Sequence, residues 1–234
     1  MTGRAGRVGP PAQACKGARM FSFQTIIDNL PVLIASARYT LLISGLGCLL
    51  GLIFGAVVCM GAVSRSRAAR RVAGVYVSFF RGVPLLIQLL LAFYLLPLVG
   101  VNVPALVAAI LTVGLCAAAY ISEILRGALN AIPKGQAEAA IAVGLPPRDI
   151  WTRILLPQAL KISMPSLVNE LILLVKASSL VTVVGIVEIT RMSQSIASAT
   201  YRPLEIYLAA AFIYLAINLV IAGIGRTLEQ RFAL

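Results

Sequence analysis

The sequence predicts an all-α membrane protein with five transmembrane helices and a polar helix-turn-helix loop between the third and the fourth. Of its 234 residues, 60% are hydrophobic and only 12% are charged, a composition outside the range of soluble globular domains. Long uncharged runs alternate with arginine-rich connections, as they do in multi-span proteins. The longest polar segment, residues 126–162, is divided by glycine and proline, which predicts two short helices joined by a turn.

The N-terminal residues 1–19 form a basic tail rich in glycine and proline, a composition that predicts disorder. They contain no apolar core of the length that a signal peptide needs. We assign the remaining residues, 20–234, to a single transmembrane domain. The first apolar stretch of this domain, residues 21–30, is expected to lie along the membrane interface.

Five spans follow from the apolar runs and from the breaks between them. The first carries Gly47, Gly51 and Gly55 on one helix face, a spacing that favours close helix packing. The uncharged run 82–122 would form a helix of about 60 Å, twice the hydrocarbon thickness, so the two prolines and the glycine within 97–104 must divide it. The predicted spans are approximately 36–63, 72–97, 104–125, 163–187 and 206–225.

The distribution of arginine predicts the orientation of these spans. The connection after the first span holds Arg65, Arg67, Arg70 and Arg71, and the central loop is also basic, whereas the break at 97–104 carries no charge. By the positive-inside rule, the first connection, the central loop and the C-terminus are cytoplasmic, and the N-terminus lies outside. The basic N-terminal tail conflicts with this arrangement.

Composition and motifs argue against several classes of function. The net charge of +12 comes without an aromatic-basic RNA motif, so we predict no nucleic-acid partner. The chain has no histidine, and its four cysteines form no CxxC pair, so no metal site is expected. Neither a GxxxxGK[ST] stretch nor a nucleophile with a base partner occurs, so we predict no catalytic residues and no cofactor bound by this chain.

The central loop follows the order helix, turn, helix. Strong helix formers after Pro133 predict a helix over residues 134–143. Gly144 stands where a helix-ending glycine with positive φ is expected. Asp149 is placed in the first turn of a second helix, where a carboxylate complements the helix dipole, and Pro157 is predicted to end that helix.

The spacing inside this loop resembles the EAA signature of ATP-binding-cassette (ABC) importer permeases. Glu138-Ala139-Ala140 is followed by Gly144 and then by Ile154, Leu156 and Pro157 at the intervals of that family. Further stretches resemble the polar amino-acid branch of the family, and in chain order they are RGVPL at 81–85, SEILRG at 122–127 and KASSL at 176–180.

This resemblance implies a fold and a set of partners. It implies a type I ABC importer permease that carries a polar amino acid across the bacterial cytoplasmic (inner) membrane, paired with a second permease copy or a paralogue. Two ATPase subunits, which would bind ATP and magnesium, would dock on the central loop, and an extracytoplasmic solute-binding protein would deliver the substrate. The residues implied in ATPase coupling are Glu138, Ala139, Ala140, Gly144, Asp149, Ile154, Leu156 and Pro157.

Polar residues within the predicted spans are candidates for a substrate path or gate, because a charge in the bilayer core is costly. Lys176 lies near the middle of its span, and we leave open whether it lines a gate or pairs with Glu170 or Glu188. The full set of candidates is Arg81, Gln88, Tyr120, Glu123, Asn169, Lys176, Ser178 and Ser179.

Three of these candidates have local alternatives. Arg81 lies close to the start of its span and has the alternative of snorkelling to the surface. Glu123 precedes Arg126 by three residues, so a local ion pair is expected between them. Tyr120 has the alternative of an aromatic residue at the membrane interface.

The sequence lacks the features of two other classes of membrane protein. An ATP-independent secondary transporter usually contains paired repeats with broken spans at corresponding positions, and no such repeat is evident here. A membrane enzyme would require a catalytic cluster, which the sequence does not offer.

Overall fold

The structure is a computed structural model that describes residues 21–232, so the predicted tail, 1–19, lies outside the described residues. All regular elements in this range are helical. They are α1 (Phe23–Val63), α2 (Arg67–Gly82), α3 (Leu85–Leu98), α4 (Ala105–Ala131), α5 (Lys134–Ala142), α6 (Pro147–Asp149), α7 (Leu156–Ala177), α8 (Ile189–Thr200) and α9 (Pro203–Phe232). A π-helical stretch, Ile150–Leu155, joins α6 to α7, and a 3-10 stretch, Ser178–Val184, extends α7.

Four helical segments of the described chain are long and apolar enough to cross a membrane, and a bent pair brings the number to five. The four are α1, α4, the run Pro147–Val184 and α9, and the bent pair is α2 with α3. The prediction of an all-α membrane protein is confirmed. The second predicted span, 72–97, is not one straight helix, because α2 and α3 meet at an angle of 103°. Pro84 forms the N-cap of α3, where its ring and its missing N–H interrupt the backbone ladder.

The first helix is longer than predicted. α1 has 41 residues, which corresponds to about 60 Å. The apolar stretch 21–30 therefore leads directly into the first span and is not a separate interfacial segment. Pro31 lies inside α1 without ending it. The N-terminal part of α1 packs with α8 and α9 through Ala37, Ile189 and Ala210.

The close packing predicted for the glycines of the first span is confirmed. A Cβ on Gly51 would lie 2.7 Å from the Cβ of Ala117 in α4, a distance at which only hydrogen fits. A Cβ added to Gly47 would likewise lie 2.8 Å from Cγ1 of Val113. Because α4 also contributes small buried residues, the two backbones approach closely and form the centre of the bundle.

The end of α5 has the geometry that the sequence predicts. Gly144 has a φ of 78°, in the left-handed region. Its N–H donates to the carbonyl of Ile141 at 2.9 Å, and the N–H of Leu145 donates to that of Ala140 at 3.1 Å. Together these bonds form a Schellman motif, which satisfies carbonyls at the end of α5 and directs the chain into the turn.

The second helix of the loop does not end at Pro157, contrary to the prediction. Asp149 lies in the first turn of α6 as expected, but the helix then continues through the π stretch into α7. Pro157 is tolerated because it occupies the first turn of α7, directly after a π turn in which the Leu156 N–H bonds to the carbonyl of Trp151. The turn after Gly144 is thereby joined to the span without a flexible connection.

The rest of the core gathers around α4. Ile43, Leu89, Val113 and Leu174 bring α1, α3, α4 and α7 into one apolar cluster. The segment predicted as a polar connector, 188–205, contains α8, which packs between α1 and α9.

Candidate functional site

A polar cavity of about 590 Å³ lies between α2, α4 and α7. This volume falls within the range of small-molecule binding sites. Four of the eight residues predicted to form a path line this cavity, namely Arg81, Tyr120, Glu123 and Asn169. The other lining residues are Ile124, Pro165, Ser166 and Glu170.

Arg81 is held in the cavity by two weak contacts. Its Nη1 lies 3.8 Å from Oε2 of Glu123, and its guanidinium carbon lies 5.3 Å from the centre of the Tyr120 ring. The first distance is too long for a hydrogen bond, and the second is typical of a cation–π contact. Most of the N–H donors of Arg81 therefore remain available to an anionic group in the cavity.

Glu123 is bound more tightly to Arg126 than to Arg81. Nε and Nη2 of Arg126 donate to the two carboxylate oxygens of Glu123 at 2.9 and 2.7 Å. The predicted local ion pair is confirmed, and its bidentate geometry fixes the direction of the carboxylate. Glu123 thus contributes a carboxylate of fixed position, already paired with arginine, to the wall of the cavity.

Glu170 is the cavity residue that the sequence analysis missed as a site residue. Its exposed fraction is 6%, and it lines both this cavity and a neighbouring one of about 420 Å³. Within residues 21–232 its carboxylate has no ion pair. The charged form of a buried carboxylate is unfavourable without a counterion, and a cationic ligand in the cavity would supply one. The signal was available, since an acidic residue stands alone in the apolar run of the fourth span.

Gln88 lies at the bend between α2 and α3 and not in the cavity. Its Nε2 donates to the carbonyls of Phe80 and Val83 at 2.9 and 2.7 Å. In a straight span, residues seven apart such as Arg81 and Gln88 would share one helix face, but the 103° bend separates them onto two helices. Gln88 satisfies the carbonyl groups that the break leaves without helical partners.

Lys176, Ser178 and Ser179 lie at the end of α7, outside the two cavities. The hydroxyls of Ser178 and Ser179 donate to the carbonyls three residues earlier at 2.8 and 2.7 Å, and the helix tightens into the 3-10 stretch there. Lys176 is exposed. The described part of the chain gives it no ion pair with Glu170 or Glu188, so that alternative is wrong within the single chain.

Glu188 has a structural role that the sequence did not reveal. It is fully buried and caps α8, with its carboxylate accepting the backbone N–H groups of Thr190 and Arg191 at 2.8 Å each. The hydroxyl of Tyr214 donates to the same carboxylate at 2.9 Å. Glutamate is not among the common N-cap residues, so the sequence pattern did not predict that Glu188 caps a helix.

The central loop presents an apolar surface at its turn. Ile141, Val143 and Trp151 are all exposed, Val143 to 76%. Of the EAA stretch, Glu138 and Ala139 face outward and Ala140 is buried. Exposed apolar side chains collected on a polar hairpin indicate a protein-binding surface. The remaining residues implied in coupling lie nearby, with Ile154 half-buried and Leu156 and Pro157 exposed.

A bundle of spans with a polar cavity and an exposed helical hairpin is the architecture of a membrane transport subunit. The chain belongs to the family of binding-protein-dependent transport system inner membrane components, whose family model matches residues 47–234. The resemblance to ABC importer permeases drawn from the sequence motifs is confirmed.

Similar proteins of known role support the same class. The chain is 39% identical over 210 residues to the arginine transport system permease protein ArtQ of Bacillus subtilis (strain 168), covering 89% of this chain and 96% of that protein. It is 37% identical over 213 residues to the glutamine transport system permease protein GlnP of Escherichia coli (strain K12), covering 90% and 97%.

Two solved structures have the same fold. A crystal structure of an amino acid ABC transporter with histidines matches with a TM-score of 0.84 and 32% identity, over 90% of this chain and 99% of that one. The MetNI methionine ABC transporter in an inward-facing conformation matches with a TM-score of 0.76 over 88% and 99% of the two chains. At 23% identity, this second match shows the fold alone.

Proposed function

We propose that this chain is the permease subunit of an ABC importer that carries a polar amino acid across the inner membrane. Relatives of this chain are named for the transport of arginine, glutamine and cystine. These three substrates differ in their side chains and share an α-ammonium and an α-carboxylate group. A site that serves such substrates must bind these two groups of opposite charge.

The observation that carries the proposal is the presence of Arg81 and Glu170 in one cavity. The guanidinium of Arg81 has free donors in a planar fork, which matches a carboxylate. The buried carboxylate of Glu170 gains its missing counterion from an ammonium group. Asn169 and Ser166, which line the same cavity, add donors and acceptors for either group.

The central loop couples this cavity to an ATPase. ATP and magnesium are bound by two partner subunits, which dock on the turn around Gly144 and on the exposed side chains of Val143 and Trp151. Closure of the ATPases on ATP moves the docked turns, and with them the spans, so that the cavity opens alternately to the two sides of the membrane.

The remaining partners follow from the same assignment. A second permease copy or a paralogue covers the open side of the cavity, with Lys176 facing the shared path as part of its lining or gate. A solute-binding protein delivers the amino acid from outside. The first connection, the central loop and the C-terminus face the cytoplasm, and the N-terminus lies outside, as the arginine distribution favours.

Amino-acid binding by the purified complex of permease and ATPase tests the proposal. We expect Arg81→Gln and Glu170→Gln each to lower the affinity for the transported amino acid by about tenfold to a hundredfold, because each removes one charge-assisted hydrogen bond. Glu229→Gln, in the last turns of α9 and outside the cavity, is the matched control. Wild-type affinity in both cavity variants contradicts the proposed site.

A further inference from the structure

The connection between α1 and α2 concentrates positive charge that the cavity does not use. Arg65, Arg67, Arg70 and Arg71 are all exposed, and none forms an ion pair with a carboxylate of the described residues. Arg70 is engaged within the connection, since its Nη1 donates to the carbonyls of Ser64 and Arg65 at 2.8 and 3.1 Å. The other three guanidinium groups have no carboxylate partner in this part of the chain.

These cations are placed where the helix itself disfavours them. Arg67 is the first residue of α2, and the first turn contains no acidic residue. The N-terminus of a helix carries partial positive charge, which repels cations. The Ser66 hydroxyl accepts only the N–H of Ala69, at 3.4 Å, so other N–H groups of the first turn remain free. An anion at this position would be stabilised by the arginines, the dipole and these N–H groups together.

An apolar strip lies beside the arginines on the same helix. Val72 and Val75 are each 71% exposed, and Phe79 is about half exposed. Residues three, four and seven apart share a helix face, and Arg71 stands one turn before Val75. At the end of a span, arginines reach the headgroups while the neighbouring apolar side chains face the acyl chains.

We propose that Arg65, Arg67 and Arg71 bind the headgroup phosphate of anionic phospholipids, while the exposed valines contact the acyl chains. A phospholipid matches both halves of this surface, because guanidinium groups bind phosphate and the hydrocarbon covers the apolar strip. An acidic protein segment would match the arginines alone. Since Arg81 lies at the other end of α2, a lipid bound here also steadies the helix that carries a cavity residue.

Lipid binding to the purified complex of permease and ATPase tests this inference. Phosphatidylglycerol and phosphatidylcholine are titrated into the complex, and bound lipid is counted by native mass spectrometry. We expect Arg67→Gln/Arg71→Gln to weaken phosphatidylglycerol binding by roughly 25-fold, at about fivefold for each arginine removed near an anionic surface. Phosphatidylcholine binding should not change, and inorganic phosphate, which lacks acyl chains, should not displace the lipid.

Three further variants complete the design. Arg226→Gln/Arg231→Gln removes two exposed arginines from α9 and should bind phosphatidylglycerol as the wild type does. Arg67→Lys/Arg71→Lys keeps the charge and should retain most of the binding. If the double glutamine variant does not assemble, Arg71→Gln alone should show a loss of about fivefold.

Two results overturn the inference. One is an unchanged, wild-type affinity for phosphatidylglycerol in the glutamine variants. If these variants also fail to copurify with the ATPase, the arginines belong to the contact with that protein partner. The other is an equal loss in the α9 control, which would mean that total charge and not this surface attracts the lipid.

Discussion

The carboxylate of Glu188, a residue with no solvent exposure, accepts a hydrogen bond from the hydroxyl of Tyr214 at 2.9 Å. This contact joins the cap of α8 to the middle of α9. We expect Tyr214→Phe to lower the free energy of unfolding by about 1 kcal/mol and Glu188→Gln by about 1–3 kcal/mol, because the second change weakens all three bonds to the carboxylate. Thermal unfolding of the purified protein in detergent measures both. Tyr207→Phe, at an exposed position of α9, is the control, and an equal effect there would contradict the assigned role.

The contact between α1 and α4 gives a second prediction. Gly51→Ala places a Cβ 2.7 Å from that of Ala117, so the helices must separate, at a cost of about 1–3 kcal/mol. Gly45→Ala is a matched change in the same helix, with nothing within 4 Å of the new Cβ. The temperature of thermal unfolding should be lowered by Gly51→Ala and not by Gly45→Ala. Equal stability of the two variants would show that the backbones separate freely.

In the proposed importer, coupling to the ATPase depends on the conformation of Gly144. Gly144→Val strains a residue with a φ of 78°, at about 1–3 kcal/mol, and should misplace the docking turn. Substrate-stimulated ATPase activity and uptake should both fall. Gly100→Val strains a residue of nearly the same φ, 81°, in the break between α3 and α4, and should leave coupling intact per assembled complex. Similar losses in both variants would point to general destabilisation.

Lys176 allows a test of the shared path. Lys176→Met keeps the length of the side chain and removes the charge. The exposed lysine has no carboxylate partner in the described chain, so we expect assembly to survive and the transport rate per assembled complex in proteoliposomes to fall. An unchanged rate per complex removes Lys176 from the path.

The orientation of the chain is tested by chemical labelling. Single cysteines at Ser66 and Asn102, on a background without the native cysteines, are exposed to an impermeant thiol reagent in intact cells. We expect labelling at 102 and none at 66, because the four arginines near Ser66 favour the cytoplasm. The reverse pattern would invert the topology.

Much of the architecture could be predicted because it depends on local signals. The glycine spacing in the first span predicted close packing against another helix, and Gly144 predicted the end of α5, because each glycine meets a steric requirement that is visible in the sequence. The sequence did not name α4 as the partner helix. The effect of proline was harder to predict. Pro84 interrupts a span, whereas Pro31 lies inside α1 and Pro157 occupies the first turn of α7 after a π turn. The sequence does not display the local backbone geometry that decides which outcome prevails.

The cavity was predicted only in part because its residues come from separate helices. Arg81, Tyr120, Glu123 and Asn169 were chosen as polar residues within apolar runs, and the structure brings them together. The same criterion assigned Gln88 to the path, although it serves the backbone at the bend. The sequence displays Glu170 as an acidic residue in an apolar run, but its burial without an ion pair in the described residues depends on packing that one sequence does not display.

The π stretch between α6 and α7 changes the directions in which side chains point at the two ends of this continuous helix. A π turn takes one residue more than an α turn, so the sides of the helix before and after it are offset by about 100° from those of a regular α-helix. Arg148 and Ser166 are about five α-helical turns apart in sequence, and a regular helix would align them. The wide turn rotates Arg148 away from the wall that Ser166 contributes to the cavity. In the proposed importer, an ATPase docked on the Arg148 side would therefore contact a different face of this helix from the one that lines the substrate cavity.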